Sequence, residues 1–150
     1  MDNSILKNKI LIFIPAYNVE KKIYSVVSRI PSKIFDKNKI DLLIINDFST
    51  DKTFSEIEKI KENFNYNVYV HNTEKNLGYG GVQKFAFNYS IKNSYDYLIM
   101  LHGDGQYAPE ELPRFIEKFE DQNIDAVFGS RMKSYKSALK GGMPFYKFLG

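Results

Sequence analysis

A chain of 150 residues is one domain by size and long enough to bury a core, and its 43% hydrophobic and 26% charged residues make it globular rather than disordered. A net charge of +3, carried by lysines scattered along the chain, argues against a nucleic-acid partner, and the absence of cysteine excludes disulfides and thiolate metal sites. A fold without covalent staples suits the cytoplasm; no run is long enough to cross a bilayer, and the apolar residues 10–14 are too few for the core of a signal peptide.

Residues 9–14 are a continuous apolar run stopped by Pro15, which predicts a central parallel strand. Residues 20–30 place Ile23, Val26, Val27 and Ile30 on one helical stripe. Residues 40–45 predict a second buried strand, and Asp51 is placed to cap a helix carrying Phe54, Ile57, Ile60 and Phe64. A third, weaker strand is expected at residues 68–70. A helix at 80–94 has Val82, Phe85, Ala86 and Tyr89 on one side, and a fourth strand covers 97–101. Pro109 suits a first helical turn, after which Leu112, Phe115, Ile116 and Phe119 repeat at helical spacing. Pro113 removes a backbone donor early in that helix, which predicts an irregular first turn. Residues 125–129 predict a fifth strand. This βαβαβαβαβ order predicts right-handed crossovers and a parallel sheet covered on both faces.

Residues 131–150, with four Lys, three Gly, one Pro and no periodicity, read either as a frayed end or as the lead into further elements. The second reading is preferred: residues 1–150 are expected to be the front part of a longer catalytic domain. The aromatic and basic mix of Met143-Pro144-Phe145-Tyr146-Lys147-Phe148 suits a membrane surface.

Ligands of such sheets bind beyond the carboxyl ends of the strands. Four of those ends carry polar groups: Pro15-Ala16-Tyr17-Asn18, Asn46-Asp47-Phe48-Ser49-Thr50-Asp51, Asn76-Leu77-Gly78-Tyr79-Gly80-Gly81, and His102-Gly103-Asp104-Gly105-Gln106-Tyr107. In the last, alternate residues His102, Asp104 and Gln106 can face one way, and the glycines between them let a substrate approach the backbone. Asp51 reads as a cap rather than a ligand. Gly78, Gly80 and Gly81 serve either a tight turn or the exposure of N–H groups to a phosphate, and their spacing is neither the dinucleotide fingerprint nor a P-loop. A lone histidine is more often structural than a ligand, and His71 reads as a strand-end residue without a special role.

These motifs, in this order and together with Gly129-Ser130-Arg131, resemble glycosyltransferase family 2, in the branch similar to dolichol-phosphate mannosyltransferase and bacterial polyprenyl-phosphate glycosyltransferases. The resemblance implies a GT-A fold, a Rossmann-like three-layer α/β sandwich with a mostly parallel sheet. It also implies a UDP- or GDP-linked sugar donor, Mn2+ or Mg2+, inversion at the anomeric carbon, and a polyprenyl phosphate or glycan acceptor. By resemblance Pro15, Ala16, Tyr17 and Asn18 line the nucleotide pocket and Asp47 receives the base; apart from the resemblance, Gly78 is a candidate for offering its N–H to a phosphate, and Lys84 or Arg131 for adding positive charge beside the leaving diphosphate. Asp104 matches the last acid of the family's Asp-x-Asp signature and meets metal and diphosphate, Gln106 approaches the metal, and Arg131 reaches a donor or acceptor phosphate.

Two residues depart from the pattern. Asn46 stands where the family usually has a second acid, and an amide there still donates and accepts hydrogen bonds. His102 stands where the first acid of Asp-x-Asp is expected. Mg2+ prefers oxygen ligands whereas Mn2+ accepts imidazole, so His102 either binds Mn2+, or hydrogen-bonds the donor, or only packs.

A sugar hydroxyl acceptor needs a general base, whereas a phosphate monoester, with a second pKa of about 6, is largely ionised at neutral pH. Glu110 and Glu111 read as helix first-turn residues, which leaves no obvious base: either the base lies in sequence beyond these residues or the acceptor is a phosphate, and the resemblance favours the phosphate and a cytoplasmic location at the inner face of the cell membrane. Two other readings stand beside this one: a non-catalytic nucleotide-binding module of the same fold, and an unrelated phosphoacceptor regulator domain. The latter gives the glycine loop and Gln106 no role. A hydrolase is disfavoured because no Gly-x-Ser-x-Gly elbow occurs.

Overall fold

The computed structural model describes residues 8–37, 39–119 and 124–129. The chain divides into two units, Met1–Glu120 and Asp121–Gly150. The first is an α/β sandwich in which β1 (Lys9–Ala16), β2 (Lys39–Asn46), β3 (Val68–Asn72) and β4 (Tyr97–Met100) form one sheet in the order β3-β2-β1-β4. Every pairing is parallel, with Ile10 opposite both Ile40 and Tyr97.

The two central strands are apolar on both faces because both faces are covered. Leu11, Phe13, Leu43 and Ile45 turn to one side and form a core with Val82 and Ala86 of α4 (Gly78–Lys92). Ile12, Ile14, Leu42 and Ile44 are equally buried and alternate to the other side. Also buried are Ile23, Val26 and Val27 of α1 (Ile23–Ser28), and Ile57 and Ile60 of α3 (Thr53–Asn63), which packs on α1.

Strands β1 to β3 step outward in one direction, and α4 then carries the chain back past β1 to β4. The order therefore reverses between β1 and β4, the kind of point where a crevice opens beyond the strand ends.

Helix starts follow local chemistry. Asp51 stands ahead of the capping position of α3, yet its Oδ1 accepts from the Thr53 N–H at 2.9 Å and holds the helix start as expected of it. Pro109 opens a 3₁₀ turn, Pro109–Glu111, that leads into α5 (Leu112–Lys118), the irregular start that Pro113 predicts.

Element ends shift from those expected, β1 running on through Pro15 to Ala16, β3 on to Asn72, α4 covering Gly78–Lys92 and β4 stopping at Met100, and other differences are larger. The helix expected at 20–30 is confined to Ile23–Ser28, preceded by turns. A short α2 (Lys33–Lys37) follows Pro31 and had no apolar stripe to announce it. Phe54 is 44% exposed although it shares the helical stripe of the buried Ile57 and Ile60. The fifth strand is absent at 125–129: a strand is held by ladder hydrogen bonds to a neighbour, these residues make none, and Phe128 is 90% exposed. Residues 130–150, Arg131 included, lie outside the described residues.

Candidate active site

A cleft of about 320 Å³ opens beyond the carboxyl ends of the strands. Pro15, Ala16, Tyr17 and Val19 line it from β1, Asp47 from β2, Asn76, Gly78, Tyr79 and Val82 from the start of α4, and His102, Gly103 and Asp104 from β4. Most of the residues singled out in the sequence are thus brought together. Asn18 and Gln106 are exposed beside this lining rather than in it, and Lys84 is exposed on α4 and does not line the cleft.

The loops after β1 and β2 are latched to each other. Asn18, at φ 50°, accepts from the Thr50 N–H at 2.8 Å through Oδ1, and its own N–H donates to Ser49 Oγ at 3.1 Å. The Val19 N–H donates to Thr53 Oγ1, the Glu20 N–H to Asp51 Oδ2, and the Lys52 N–H to Glu20 Oε2. Burial opposes the Asp51 carboxylate, but the hydrogen bonds from Thr53 and Glu20 outweigh it and hold its carboxyl below the usual range. Asn46 performs the double role open to an amide, donating to Asn72 Oδ1 at 2.9 Å and accepting from the Ser49 N–H at 3.3 Å.

Asp47 is 4% exposed and closes the start of α4. Its Oδ1 accepts from the Leu77 N–H at 2.7 Å and from Thr73 Oγ1 at 3.2 Å, and its Oδ2 accepts from the Gly78 N–H at 2.9 Å. A carboxylate at a helix N-terminus satisfies amides that have no partner within the helix and sits at the positive end of its dipole. The glycine loop therefore spends these N–H groups on Asp47 rather than offering them to a phosphate. Gly78 takes φ 68°, which a side chain would disfavour, and a Cβ on Gly81 would lie 2.7 Å from Leu77 Cβ.

On the β4 side, a Cβ on Gly103 would lie 3.1 Å from the Pro15 carbonyl oxygen and 3.3 Å from Ile14 Cγ2. This glycine lets β4's end close against β1. Asp104 Oδ1 accepts from the Gln106 N–H at 3.0 Å across Gly105, at φ 75°, and Oδ2 takes no hydrogen bond among the described residues. The His102 ring is flanked by two tyrosines, Tyr79 at 5.7 Å and Tyr107 at 4.9 Å between centroids. Tyr79 lines the cleft and was no candidate in the sequence; its place opposite His102 depends on α4 reaching β4, which no local pattern shows. Among the described residues no three His, Cys, Asp or Glu side chains gather to hold a metal ion.

Glu110 is bidentate to Arg29, at 2.6 and 2.9 Å, and this hydrogen bonding holds its carboxyl below the usual range. Glu111 pairs with Arg114 at 2.7 Å. Both acids behave as helix first-turn residues, as their sequence position implies.

The family model for glycosyl transferase family 2 matches residues 11–144. An uncharacterized protein of Methanocaldococcus jannaschii is 35% identical over 119 residues, 79% of this chain and 50% of its own length. An undecaprenyl-phosphate mannosyltransferase of Micrococcus luteus is 30% identical over 124 residues, 82% of this chain and 48% of its own. Among solved structures, a mannosyltransferase from Pyrobaculum calidifontis in complex with GDP-Man and Mn2+ superposes with a TM-score of 0.67 at 14% identity, over 91% of this chain and 39% of that one. That likeness establishes the fold, the GT-A α/β sandwich that the sequence resemblance implies. The chain spans about half the length of the curated relatives it matches. With most of its length matched and its four strand-end motifs assembled around one cleft, the chain belongs to glycosyl transferase family 2.

Proposed function

We propose that this chain is the donor-binding part of an inverting glycosyltransferase that moves a sugar from a nucleoside diphosphate to a polyprenyl phosphate. The observation that carries the reading is the convergence of Tyr17, Asp47, Tyr79, His102 and Asp104 on one cleft at the reversal of strand order. The M. luteus relative is named for such a transfer, and the P. calidifontis structure holds GDP-Man and Mn2+. A glycan acceptor, or a module that binds nucleotide without turnover, are the outcomes that would replace it.

The donor set suits a divalent cation that completes its shell with diphosphate oxygens and water. Asp104 offers a carboxylate oxygen that takes no hydrogen bond among the described residues, and His102 lies in the same cleft lining. Such a cation, when bound, stabilises the charge of the departing diphosphate as a Lewis acid. Asp104 would hold it, with His102 as a borderline ligand or as a ring held by Tyr79 and Tyr107, and Gln106 and Arg131 in support. The acceptor oxygen forms its bond to the anomeric carbon on the face opposite the breaking bond to the nucleoside diphosphate, which inverts that centre.

The acceptor choice rests on the carboxylates. Asp47 and Asp104 are those of the cleft lining; the first is spent on α4 and the second faces the donor. Glu110 and Glu111 are paired with arginines. An acceptor that arrives ionised needs no base from this set. No helix among the described residues is long and apolar enough to cross a bilayer.

Titration calorimetry with UDP and GDP, with and without Mn2+, tests the donor reading. Metal-dependent binding of at least one is expected, and a folded sample that binds neither would sink it. Asp104→Ala should weaken metal-dependent binding at least about tenfold, and His102→Ala less. Turnover of a sugar donor with a polyprenyl phosphate, and not with a neutral glycan, is the result expected for the acceptor.

A further inference from the structure

Each of the four loops beyond the strand ends holds one residue in the left-handed region: Asn18 at φ 50°, Phe48 at φ 59°, Gly78 at φ 68° and Gly105 at φ 75°. Asn and Gly adopt that conformation readily, whereas in a bulky side chain it marks strain. The surroundings impose it on Phe48. The Asp47 N–H donates to the Ala16 carbonyl at 2.8 Å, and the Ser49 N–H donates to Asn46 Oδ1, so the backbone is held on both sides. Packing does not explain the choice of residue, because Phe48 is 53% exposed. A half-exposed aromatic ring on a backbone held in a strained conformation, next in sequence to a cleft-lining residue, fits the arrangement of a ligand clamp.

Two facts say which part of a ligand it meets. The cleft's 320 Å³ lies at the small end for ligand pockets, so a nucleotide sugar must extend past its lining, and Phe48 directly follows the lining residue Asp47. Asp47 itself, the residue that the family resemblance gives to the base, has both carboxylate oxygens taken by Leu77, Gly78 and Thr73. It thus fixes the turn on which Phe48 stands, at the place that the resemblance gives to the base.

We propose that Phe48 is a ligand-contacting residue that supplies a stacking surface for the nucleobase of the donor, an inference that rests on the nucleotide-sugar reading above. Stacking on an aromatic face tolerates any base, so UDP and GDP should bind with similar affinity through this contact.

The decisive variant is Phe48→Gly, since glycine fits φ 59° better than phenylalanine and the loop should keep its shape. Its melting midpoint should be unchanged or raised, its affinity for UDP and GDP should fall about tenfold, and its affinity for inorganic pyrophosphate in the same cation should be unchanged. Phe48→Asn, which also tolerates the left-handed region, serves if the glycine variant folds poorly, and Phe48→Tyr should retain binding. The chain has no tryptophan, so Phe48→Trp places a single indole whose fluorescence UDP or GDP should quench and pyrophosphate should not. Nucleotide affinity unchanged in folded Phe48→Gly, or pyrophosphate weakened as much as UDP, overturns the inference. If the wild-type chain binds no nucleoside diphosphate, the donor reading fails first and takes this inference with it.

Discussion

Strand β2 carries a buried aspartate near each end, and the two ends of the sheet differ in what surrounds them. At the amino end Asp41, 8% exposed, accepts from the Tyr95 hydroxyl at 2.6 Å and from Asn67 Nδ2 at 2.9 Å. Lys9 is tied down beside it: its N–H donates to Asp96, and its ammonium donates to the Asn93 carbonyl and lies 4.1 Å from the centre of the Tyr95 ring. At the carboxyl end Asp47 is also buried and bonded, yet the loops at that end hold four left-handed residues and the exposed rings of Tyr17, Phe48, Tyr79 and Tyr107. A buried, fully bonded carboxylate is therefore no mark of a site. The mark is rigid backbone that leaves polar and aromatic groups open.

Size does not separate the ends either. The amino end holds a depression of about 760 Å³, larger than the cleft, lined by Lys9, Lys39, Asp41, Asn67 and others. Three of those groups are already engaged, Lys9 with Asn93 and Tyr95, and Asp41 and Asn67 with each other.

The largest effect should come from Asp47→Ala. It removes a charged acceptor from two backbone amides at the start of α4, of which Gly78 also donates to Asn76 Oδ1 at 3.0 Å whereas Leu77 has Asp47 alone among the described residues, and should cost about 3 kcal/mol in urea unfolding. Because the same carboxylate holds the Asn76-Leu77-Gly78 turn against β2, nucleotide binding should be lost with it. Asp41→Ala should cost less, about 2 kcal/mol, because its two donors are neutral side chains that can turn towards water. Its nucleotide affinity should stay within about twofold of wild type, since distant, unconnected sites do not couple. Loss of binding in Asp41→Ala at full folding would mean that the two ends are not independent.

What the sequence shows of each end follows from how local the cause is. Strands β1 and β2 are legible because central parallel strands are continuous apolar runs, and α4 because Val82 and Ala86 keep helical spacing. The strand-end motifs locate the cleft, and Asp47, His102 and Asp104 are found in it. Not legible are the partners. Asp41 sits inside the run Ile40-Asp41-Leu42-Leu43-Ile44-Ile45, where a buried carboxylate must be paired, but nothing near it points to Asn67 or Tyr95. Asp47's bonds to Leu77 and Gly78 likewise cross the whole β2–β3 connection. Lys84 fails as a cleft residue because helical phase places it on the exposed side of α4 while Val82 faces inward. The left-handed Phe48 breaks the residue preference by which such positions are read, so its conformation is visible only in three dimensions.

The smallest effect isolates one hydrogen bond of the amino end. Tyr95→Phe removes the hydroxyl that donates to Asp41 and should cost about 1 kcal/mol at neutral pH, with no change in nucleotide affinity. Its pH dependence carries more information than its size. Burial, and then the bond to Asp41, push the Tyr95 phenol well above its ordinary value of 10.0. The folded chain thus keeps this proton more tightly than the unfolded chain, so the contribution is fully present below about pH 10 and declines as the pH rises above it towards the folded value. Tyr95→Phe has no such proton to lose, and its urea midpoint should approach that of wild type between pH 10 and 11. A gap that stays constant across that range would show that Tyr95 ionises alike in both states, and the amino end would then be open to solvent in the way the carboxyl end is.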